Sequence, residues 1–405
     1  MTGMKPGRGA AWIGSVVLMV SVQCVAAEPP VSQSILLAHY MPWYQAKPSS
    51  DSWGWHWTMN AYDPDGIDDG RRQIASHYYP LIGPYDSGDR DVLEFHLLTM
   101  KMAGIDGVIV DWYGLEDFRD YPLLHRNTQR LVDQAGRLGM KFAICYEDQT
   151  ISALVKAERI APSQQVSHAA SEIEWLAKHW FTREHYVHVD ERPVLLSFGQ
   201  SGLSDEQWSD CLERVNQPVA YFSQHHRRAA AVGAFDWPVP GEGLNAVVRF
   251  QTKSRDWPYA IPVAFPRFID IYAEAKVHAS WGRIEDEDGR TFQDSMQRAL
   301  TMAAPLVQIA TWNDWGEGTC VEPSREFDYR DLEVLQQLRR QYIDSRFAAS
   351  AADLRLPLDL LRLRRSADDP QHEERCERIS QLLANQKYAL AGEELASQPT
   401  EAADK

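Results

Sequence analysis

Eight short apolar runs, spread along most of the chain, constrain its fold more than any other feature of the sequence. They are rich in β-branched and aliphatic residues, and most are continuous rather than alternating, which is typical of parallel strands covered on both faces. The runs are Ile35 to Tyr40, Gly107 to Asp111, Lys141 to Tyr146, Pro193 to Phe198, Pro218 to Ser223, Val232 to Trp237, Ile261 to Phe265 and Leu306 to Trp312.

Helical patterns lie between many of these runs. The clearest are Arg90 to Ala103, Leu123 to Leu138, Ser167 to Trp180, Ser204 to Val215 and Thr291 to Met302. Strands that alternate with helices predict an α/β fold, and eight such strands predict a (β/α)8 TIM barrel, with a doubly wound open sheet as the alternative. The fifth and sixth runs are too close in sequence for a full helix, so the helix between them is expected to be short or missing.

The two ends of the chain fall outside the barrel pattern. Residues 1–27 carry Lys5 and Arg8, then an apolar run, then Val25, Ala26 and Ala27, which is the order of a secretory signal peptide. We therefore expect a signal peptide at 1–27, export to the periplasm or the extracellular space, and a barrel over 28–349. Residues 350–405 predict a helical extension of two or three packed helices with a polar tail.

Charge and hydropathy exclude several classes of partner. The chain has 41 basic and 57 acidic residues, a net charge of -16, so binding to a phosphate backbone is not expected. The apolar run of the signal peptide is shorter than the roughly 20 residues that span a bilayer, and no later stretch is longer, so membrane insertion is not expected either. Oligomeric state is left open.

The cysteines point away from a zinc site. Four remain after residue 27, at long irregular spacings with no C-x-x-C pair, and three full disulfide pairings are open to them. They are Cys145, Cys211, Cys320 and Cys376. The sequence predicts no metal and no organic cofactor.

Aromatic and polar residues follow the first, second, third and eighth runs. Catalytic groups in barrel enzymes lie at the carboxyl ends of the strands, and sugars are bound by flat rings together with carboxylates and amides. An oligo- or polysaccharide is therefore the expected partner. The predicted substrate-binding residues are His39, Tyr40, Trp43, Tyr44, Asp111, Trp112, Tyr113, Glu147, Trp312, Asn313 and Glu322.

Asp314 and Glu317 are the predicted catalytic residues. Two acids three positions apart in a turn can both project into one cleft, and neighbouring acids move their pKa values apart, which leaves one protonated and one ionised. The structural alternative is that Asp314 caps a following helix while Glu317 is merely solvated. The two Trp, one Asn and two Gly in TWNDWGEGT favour the catalytic interpretation, because they are a poor choice for an ordinary solvated turn.

The long loop from Gln45 to Ser87 follows the first run and is dense in Trp, Tyr, Pro, Gly and Asp. Loops of this length within a compact domain are usually functional. Trp53, Trp55 and Trp57 are each as compatible with wedging the loop onto the barrel as with stacking on a sugar.

One segment resembles a known signature. TWNDWGEGTCVEPS, at 311–324, is similar to the W-N-E/D-W-x-E-G-T-x-I/V-E-P signature of glycoside hydrolase family 71 and 99-like proteins, which are related to bacterial endo-α-mannosidases. AHYMPWY at 38–44, VDWYG at 110–114, ICYED at 144–148 and VAFPRFID at 263–270 have counterparts in the same order. The likeness spans about Ile35 to Arg346.

This resemblance implies a barrel, no metal or organic cofactor, and cleavage of an α-linked glycan of α-mannan or α-glucan type. Glu317 matches the general acid/base of the endo-α-mannosidases. Asp314 matches the acid that engages the sugar 2-hydroxyl, and it stands where those enzymes have Glu, one methylene longer. Asp314 is therefore expected to act either on that hydroxyl or on a water molecule.

Two other functions compete with hydrolysis. A glycosyltransferase-associated polysaccharide protein is disfavoured by the predicted export and because Gly241 and Gly243, in a Pro-rich loop, do not form a phosphate-binding turn. A non-catalytic carbohydrate-binding protein would keep the aromatic residues but would have no need of Glu317. Motifs of esterases and metalloproteases, G-x-S-x-G and H-E-x-x-H, do not occur.

Overall fold

A computed structural model describes residues 1–4, 7, 33–367 and 369–397. The apolar run of the predicted signal peptide and its cleavage point lie outside the described residues. The chain divides into two compact units, Met1–Pro30 and Val31–Lys405, and the second contains every element discussed below.

Nine parallel strand segments form the barrel and occupy eight positions around it. They are β1 (Ile35–Tyr40), β2 (Gly107–Trp112), β3 (Lys141–Glu147), β4 (Arg192–Phe198), β5 (Ala220–Gln224), β6 (Gly233–Phe235), β7 (Tyr259–Ile261 and Val263–Ala264) and β8 (Leu306–Ile309). The first half of β7 pairs with β6 and its second half with β8, which in turn pairs with β1. The predicted (β/α)8 fold is confirmed, and the doubly wound alternative is wrong because both ends of the sheet meet at β7.

Helices surround the barrel in the predicted order. They are α1 (Arg90–Ala103), α2 (Tyr121–Arg137), α3 (Gln149–Lys156), α4 (Gln165–His179), α5 (Asp205–Arg214), α6 (Leu244–Lys253), α7 (Arg290–Thr301) and α8 (Arg330–Tyr342). No helix joins β5 to β6 in this described stretch, as their short separation predicts.

Local sequence fixes where these helices begin and end. The Asp89 carboxylate accepts the backbone N–H groups of Asp91 and Val92 at the start of α1, which satisfies donors that have no partner inside the helix. Gly104 ends α1 with a φ of 89°, a left-handed conformation that glycine adopts without strain. Ser204 and Gln207 form a reciprocal capping box at the start of α5.

Side chains along each barrel strand alternate between the helix layer and the lumen. On β1, Leu36 and Tyr40 belong to the apolar cluster between barrel and helices, whereas Leu37 belongs to the cluster inside the barrel. The same alternation on β2 and β3 follows from the two-residue period of a strand. It directs into the lumen the side chains of His39, Asp111, Cys145 and Glu147.

Shorter elements decorate the loops. They are the one-turn helix Trp55–Thr58, the strand pairs Ile67–Asp68 with Arg71–Arg72 and Phe268–Ile269 with Arg283–Ile284, the strand His188–Val189 antiparallel to β4, and the 3-10 turns Pro162–Gln164, Glu287–Gly289 and Asp353–Arg355.

Three further helices follow the barrel; the first two pack beside α1, and the third packs against the first two. They are α9 (Leu356–Arg364), α10 (Pro370–Ala384) and α11 (Tyr388–Ala396). Glu94 on α1 is buried, and its carboxylate accepts hydrogen bonds from Arg364 of α9, Ser380 of α10 and Arg137 of α2, each with one contact at 2.6 Å. We call these four residues the Glu94 cluster. Among the described residues, no helix is both long and apolar enough to cross a membrane.

Candidate active site

The segment after β8 forms a tight turn that carries both predicted catalytic acids. Thr311 Oγ1 accepts the Asp314 N–H at 2.8 Å and lies 3.0 Å from Thr319 Oγ1. Asp314 Oδ1 accepts the Glu317 N–H at 3.0 Å. The segment from 310 to 324 contains no helix, so Asp314 caps a turn and not the helix of the structural alternative.

Asn313 and Tyr44 lock this turn to the loop that follows β1. The Asn313 amide accepts the Met41 N–H at 2.8 Å and donates to the Met41 carbonyl at 3.0 Å. The Tyr44 hydroxyl donates to the Asn313 carbonyl and accepts the Trp315 N–H, both at 2.9 Å. Tyr44 and Asn313, which we predicted to bind substrate, therefore use these polar atoms to position the catalytic turn.

Asp314 and Glu317 have different pKa values because the turn gives them different neighbours. Burial raises the pKa of Asp314 to about 6, and the backbone N–H groups of Glu317 and Gly316 limit this rise because they stabilise the carboxylate. Burial, the charge of Asp314 and the charge of Asp270 raise the pKa of Glu317 well above its ordinary value. Of the two acids, Asp314 therefore loses its proton first as the pH rises, and Glu317, whose side chain is partly exposed, holds its proton longer.

Asp111 and Glu147 extend the acidic group into the barrel. Burial, followed by the charge of Asp314, raises the pKa of Asp111, and burial followed by the charge of Asp111 raises that of Glu147. We call Asp111, Glu147, Asp314 and Glu317 the lumen carboxyls. No Lys, Arg or His in the part of the chain that the structure describes forms an ion pair with any of the four.

Aromatic residues border one side of the lumen carboxyls. The Trp43 ring stacks on His56 with centroids 4.2 Å apart, and its edge meets Tyr113 at 6.4 Å. Burial, followed by the charges of Asp111 and Glu147, raises the pKa of Tyr113, so its hydroxyl lies near both acids. Together with Trp55, these residues line a cavity of about 510 Å³.

The loop after β7 supplies residues that the sequence analysis did not assign to the site. Glu317 and Gly316 accept backbone N–H groups from Ile269 and Ile271 at 2.9 and 3.0 Å, which holds this loop against the catalytic turn. Burial, followed by the charges of Glu317 and Asp314, raises the pKa of Tyr272. The VAFPRFID motif, which includes Asp270, was the sequence signal that could have led to Tyr272 two positions later.

His39 reaches the lumen as predicted. Its ring packs edge-on against Trp237 at 4.8 Å and Phe198 at 6.3 Å, at the ends of β6 and β4. Neither aromatic residue was assigned to the site from sequence. Burial lowers the pKa of His39 to about 3, partly offset by Gln308, so the imidazole is neutral.

Four of the predicted substrate-binding residues are not brought to the lumen. Tyr40 and Glu322 contact opposite nitrogens of His96 on α1, at 2.9 and 3.1 Å, and Trp312 packs against the same ring. Trp112 lies among aromatic rings of the helix layer, stacked on Trp175. This placement corrects the assignment: Tyr40, Trp112, Trp312 and Glu322 stabilise the contact between barrel and helices.

The long loop after β1 uses its three Trp side chains differently. Trp57 is buried and donates to the Tyr85 carbonyl at 2.8 Å, which wedges the loop onto the barrel. Trp53 donates to Asp65 at 2.9 Å. Trp55 is 40% exposed and lines two neighbouring cavities, so it is the one of the three that remains available to a ligand.

Comparison with known proteins finds chains of similar sequence and structure. The model of the family described as glycosyl hydrolase family 99 matches residues 32–157. A glycoprotein endo-alpha-1,2-mannosidase-like protein of Danio rerio is 22% identical over 317 residues, covering 70% of this chain and 69% of that protein. The solved GH99 endo-alpha-mannosidase of Bacteroides thetaiotaomicron has the same fold, with a TM-score of 0.59 at 15% identity over 81% of this chain and 99% of that one.

A second relative decides the family. The glycoprotein endo-alpha-1,2-mannosidase of Mus musculus is 32% identical over 380 residues, covering 79% of this chain and 74% of that protein. The resemblance inferred from the sequence motifs is thereby confirmed. The chain belongs to glycosyl hydrolase family 99 and is a glycoside hydrolase.

Proposed function

We propose that the protein is an endo-acting α-mannosidase that cleaves an α-linked, mannose-containing glycan. The observation that carries this proposal is the turn from Asp314 to Glu317, which holds one buried and one partly exposed acid of different pKa, with no ion-pairing cation beside them in the described part of the chain. Such a pair provides one proton donor and one proton acceptor at the same pH. Two of the relatives are named as endo-alpha-mannosidases and the third as an endo-alpha-1,2-mannosidase-like protein, and these names support mannose and internal cleavage.

Glu317 is the proposed general acid. Burial and the neighbouring acids raise the pKa of its carboxyl well above the ordinary value, and the side chain is partly exposed, so a departing glycosidic oxygen can take the proton. The bond from the anomeric carbon to that oxygen breaks as the proton is transferred, which leaves the leaving sugar with a neutral hydroxyl. The Glu317 carboxylate that remains can then accept a proton from water in a second step.

Asp314 is the proposed base. Its carboxylate is ionised at neutral pH, and one oxygen is oriented by the Glu317 N–H. It accepts a proton either from the sugar 2-hydroxyl, whose oxygen then attacks the anomeric carbon, or from a water molecule that attacks directly. Both routes need the carboxylate close to the anomeric centre, and the contact of Asp314 with the Glu317 backbone supports that position.

The aromatic border supports a glycan as the ligand. Trp43 presents a ring that is already stacked on His56, Tyr113 places its hydroxyl near two carboxyls, and Trp55 lies exposed beside the same cavity. Sugar C–H faces stack on such rings while hydroxyls bond to carboxylates. The position of Trp55 in the loop beside the cleft supports contacts with a sugar beyond the cleaved bond, as endo cleavage requires.

One experiment tests the proposal directly. The purified protein is incubated with a panel of α-mannans, α-glucans and host-type glycans, and released saccharides are identified by mass spectrometry. We expect oligosaccharide products from an α-mannose-containing glycan only, and no products from the Glu317→Gln variant. Release of single sugars alone would contradict endo action, and release from α-glucans alone would contradict the specificity. Binding without release from any substrate would favour a carbohydrate-binding protein.

We also propose that residues 1–27 act as a signal peptide and that the protein functions in the periplasm or outside the cell. The support is the sequence order of charge, apolar run and small residues before Glu28. Expression of the full chain followed by amino-terminal sequencing is expected to find Glu28 at the start of the exported form. An unprocessed chain confined to the cytoplasm would contradict it.

A further inference from the structure

Three side chains that can bind a metal ion meet in the lumen below the catalytic turn. They come from three neighbouring strands: His39 from β1, Asp111 from β2 and Cys145 from β3. One nitrogen, one oxygen and the sulfur lie within 4.8 Å of one another, and all three residues are buried. Asp111 and Cys145 are direct register partners, so the barrel itself holds them side by side.

The polar atoms of this group lack partners. Neither ring nitrogen of His39 nor Oδ1 of Asp111 has a hydrogen-bond partner among the described residues. Gln308 lies beside His39, but its side chain does not complete a well-formed hydrogen bond with the ring. Buried polar atoms in folded proteins are nearly always satisfied, because leaving one unpaired costs about 1–3 kcal/mol. These orphaned atoms therefore point to a ligand.

The surrounding charge favours a cation. Asp111 lies near Asp314, and Glu147 follows Cys145 by two positions on β3 and therefore points to the same side of the strand. None of the lumen carboxyls is paired with a basic side chain in the described part of the chain. A divalent cation would supply the missing positive charge, and its binding would release the thiol proton to water.

The donor set selects a class of metal. Imidazole nitrogen, carboxylate oxygen and thiolate sulfur together suit zinc and the softer cadmium, whereas magnesium and calcium prefer oxygen alone. Tetrahedral zinc bonds of 2.0 to 2.3 Å place donor atoms roughly 3.3–3.8 Å apart, which small side-chain rotations reach from the present spacing. Three protein ligands leave a fourth position open toward the lumen.

We propose that His39, Asp111 and Cys145 form a binding site for a zinc-class divalent cation and that its occupation inhibits hydrolysis. The cation would tie up Asp111 beside Asp314 and occupy space that a sugar ring needs. The binding part of the proposal is independent of the proposed function, whereas the inhibitory part rests on it. The two parts are therefore tested with different measurements.

Binding is tested on the full chain with cadmium and zinc chloride. Cadmium is expected to produce the ultraviolet charge-transfer band of a cadmium–thiolate bond with one equivalent bound, and calorimetry is expected to show one zinc site. Cys145→Ser should abolish the band and weaken zinc at least about tenfold, in the range by which changes around metal ligands act. Cys211→Ser is the matched control, because Cys211 is an equally buried thiol in the helix layer, and it should keep both signals.

Two outcomes of the cadmium experiment would overturn the proposed site. A band that survives in Cys145→Ser but disappears in Cys211→Ser, or no band in the unmodified protein, overturns the site. If Cys145→Ser fails to fold, Cys145→Ala, which needs no buried hydroxyl partner, replaces it, and melting temperatures identify the folded variant. These readouts do not require activity, so their failure is distinct from failure of the proposed function.

Inhibition is tested with any glycan that the protein hydrolyses. Zinc chloride should suppress the rate of the unmodified protein, and a chelator should restore it. Relative to its own rate without zinc, Cys145→Ser should need at least about tenfold more zinc than the unmodified protein for the same fractional suppression. Equal sensitivity of the two proteins to zinc would overturn the inhibitory part.

Discussion

Two regions of this protein bury carboxyl groups to the same extent and use them in opposite ways. Glu94, 2% exposed, lies between two guanidinium groups and a hydroxyl in the Glu94 cluster. Asp314, 4% exposed, accepts backbone N–H groups and lies near other acids and the hydroxyls of Tyr44 and Tyr272, with no ion-pairing cation among the described residues. The Glu94 cluster joins the C-terminal helices to α1. The surroundings of the lumen carboxyls instead raise the pKa values of those four acids.

The difference shows that burial alone does not define a functional acid. A buried carboxylate paired with arginine acts as a fixed link between helices, because the charges satisfy each other. A buried carboxyl without a cation has a raised pKa and exchanges protons near neutral pH. The tests that follow separate the two regions by their effects on stability and on rate, from the largest expected effect to the smallest.

Arg364→Met should lower the free energy of unfolding by about 3 kcal/mol, at the lower end of the range for breaking a buried ion pair because Arg137 still contacts Glu94. Methionine keeps the apolar stem, so the loss reports the charge. Unfolding in urea measures it. The rate of glycan hydrolysis by the folded variant should not change.

Arg362→Met is the matched control on the same helix. Arg362 is 69% exposed and, among the residues that the structure describes, forms an ion pair only with Asp359 one turn away, so its loss should change stability by less than about 0.5 kcal/mol. Equal losses in the two variants would show that the Glu94 cluster does not stabilise the protein as a buried pair.

Glu317→Gln should lower the rate on the natural glycan at least roughly a hundredfold, or about 2.7 kcal/mol of barrier, because a positioned acid contributes that much. Glutamine keeps the size and polarity of the side chain but cannot donate a carboxyl proton. Substrate binding should be largely retained. A fluoride or dinitrophenolate leaving group needs little protonation, so the variant should recover part of its rate on such substrates.

The comparison between the two leaving groups is the control for this variant. An equal loss on both would show that Glu317 does not act as the proton donor. Retention of the parent rate on the natural glycan would exclude Glu317 from catalysis altogether.

Asp314→Asn should slow hydrolysis by about a hundredfold on both kinds of substrate, because a base is needed whatever the leaving group. In the unmodified protein, kcat/KM should fall as pH drops below about 6, where Asp314 takes up a proton. It should fall again at higher pH, where Glu317 loses its own. A pH–rate profile of both proteins measures this, and an acid limb that persists in Asp314→Asn would contradict the assignment.

Asp314→Asn should also be more stable than the unmodified protein at neutral pH, whereas Arg364→Met should be less stable. The folded-state pKa of Asp314 is raised from 3.8 to about 6, so the stability that its protonated form contributes is present below pH 3.8 and lost as pH rises through about 6. Asparagine does not ionise and avoids this loss. The melting temperature of Asp314→Asn at neutral pH should therefore exceed that of the unmodified protein, and a decrease would contradict an uncompensated charge.

Trp55→Ala should have the smallest effect. Loss of one stacking ring is expected to weaken binding of a long oligosaccharide by about 1 kcal/mol, or roughly fivefold in Kd, while the melting temperature stays nearly unchanged. Trp57→Ala, at the buried position two residues away, should instead lower the melting temperature by several degrees. A destabilised Trp55→Ala with unchanged affinity would assign Trp55 a structural role.

The fold could be predicted from sequence because its signals are local. Each barrel strand is a short apolar run and each of the five predicted helices has its own periodicity, so the elements were placed before their partners were known. The ends of the strands are harder to predict from sequence where the chain bends. Pro262 divides β7 into two short pieces that pair with different neighbours, and an apolar run does not reveal that division.

The site was predictable only in part, because it depends on which way side chains point. A strand buried on both faces is apolar throughout, so its sequence does not show which alternate residues face the lumen. His39 and Asp111 face inward, whereas Tyr40 and Trp112, one position later on the same strands, face the helices. Tyr272 was missed for another reason: the VAFPRFID motif ends two positions before it, and the motif alone does not show that the loop after β7 contacts the catalytic turn.

The hydrogen bonds between Met41 and Asn313 join residues 272 positions apart, and this separation determines when the site can form during synthesis. At the usual speed of synthesis, roughly 5–20 residues per second, the first strand leaves the ribosome some 15–50 seconds before its partner β8. Throughout that interval β1 has one unpaired edge, and the four acids belong to separate parts of a growing chain. The strand that closes the barrel is also followed directly by Asp314 and Glu317. A nascent chain therefore has no hydrolytic site until its barrel is complete, and activity begins only with closure.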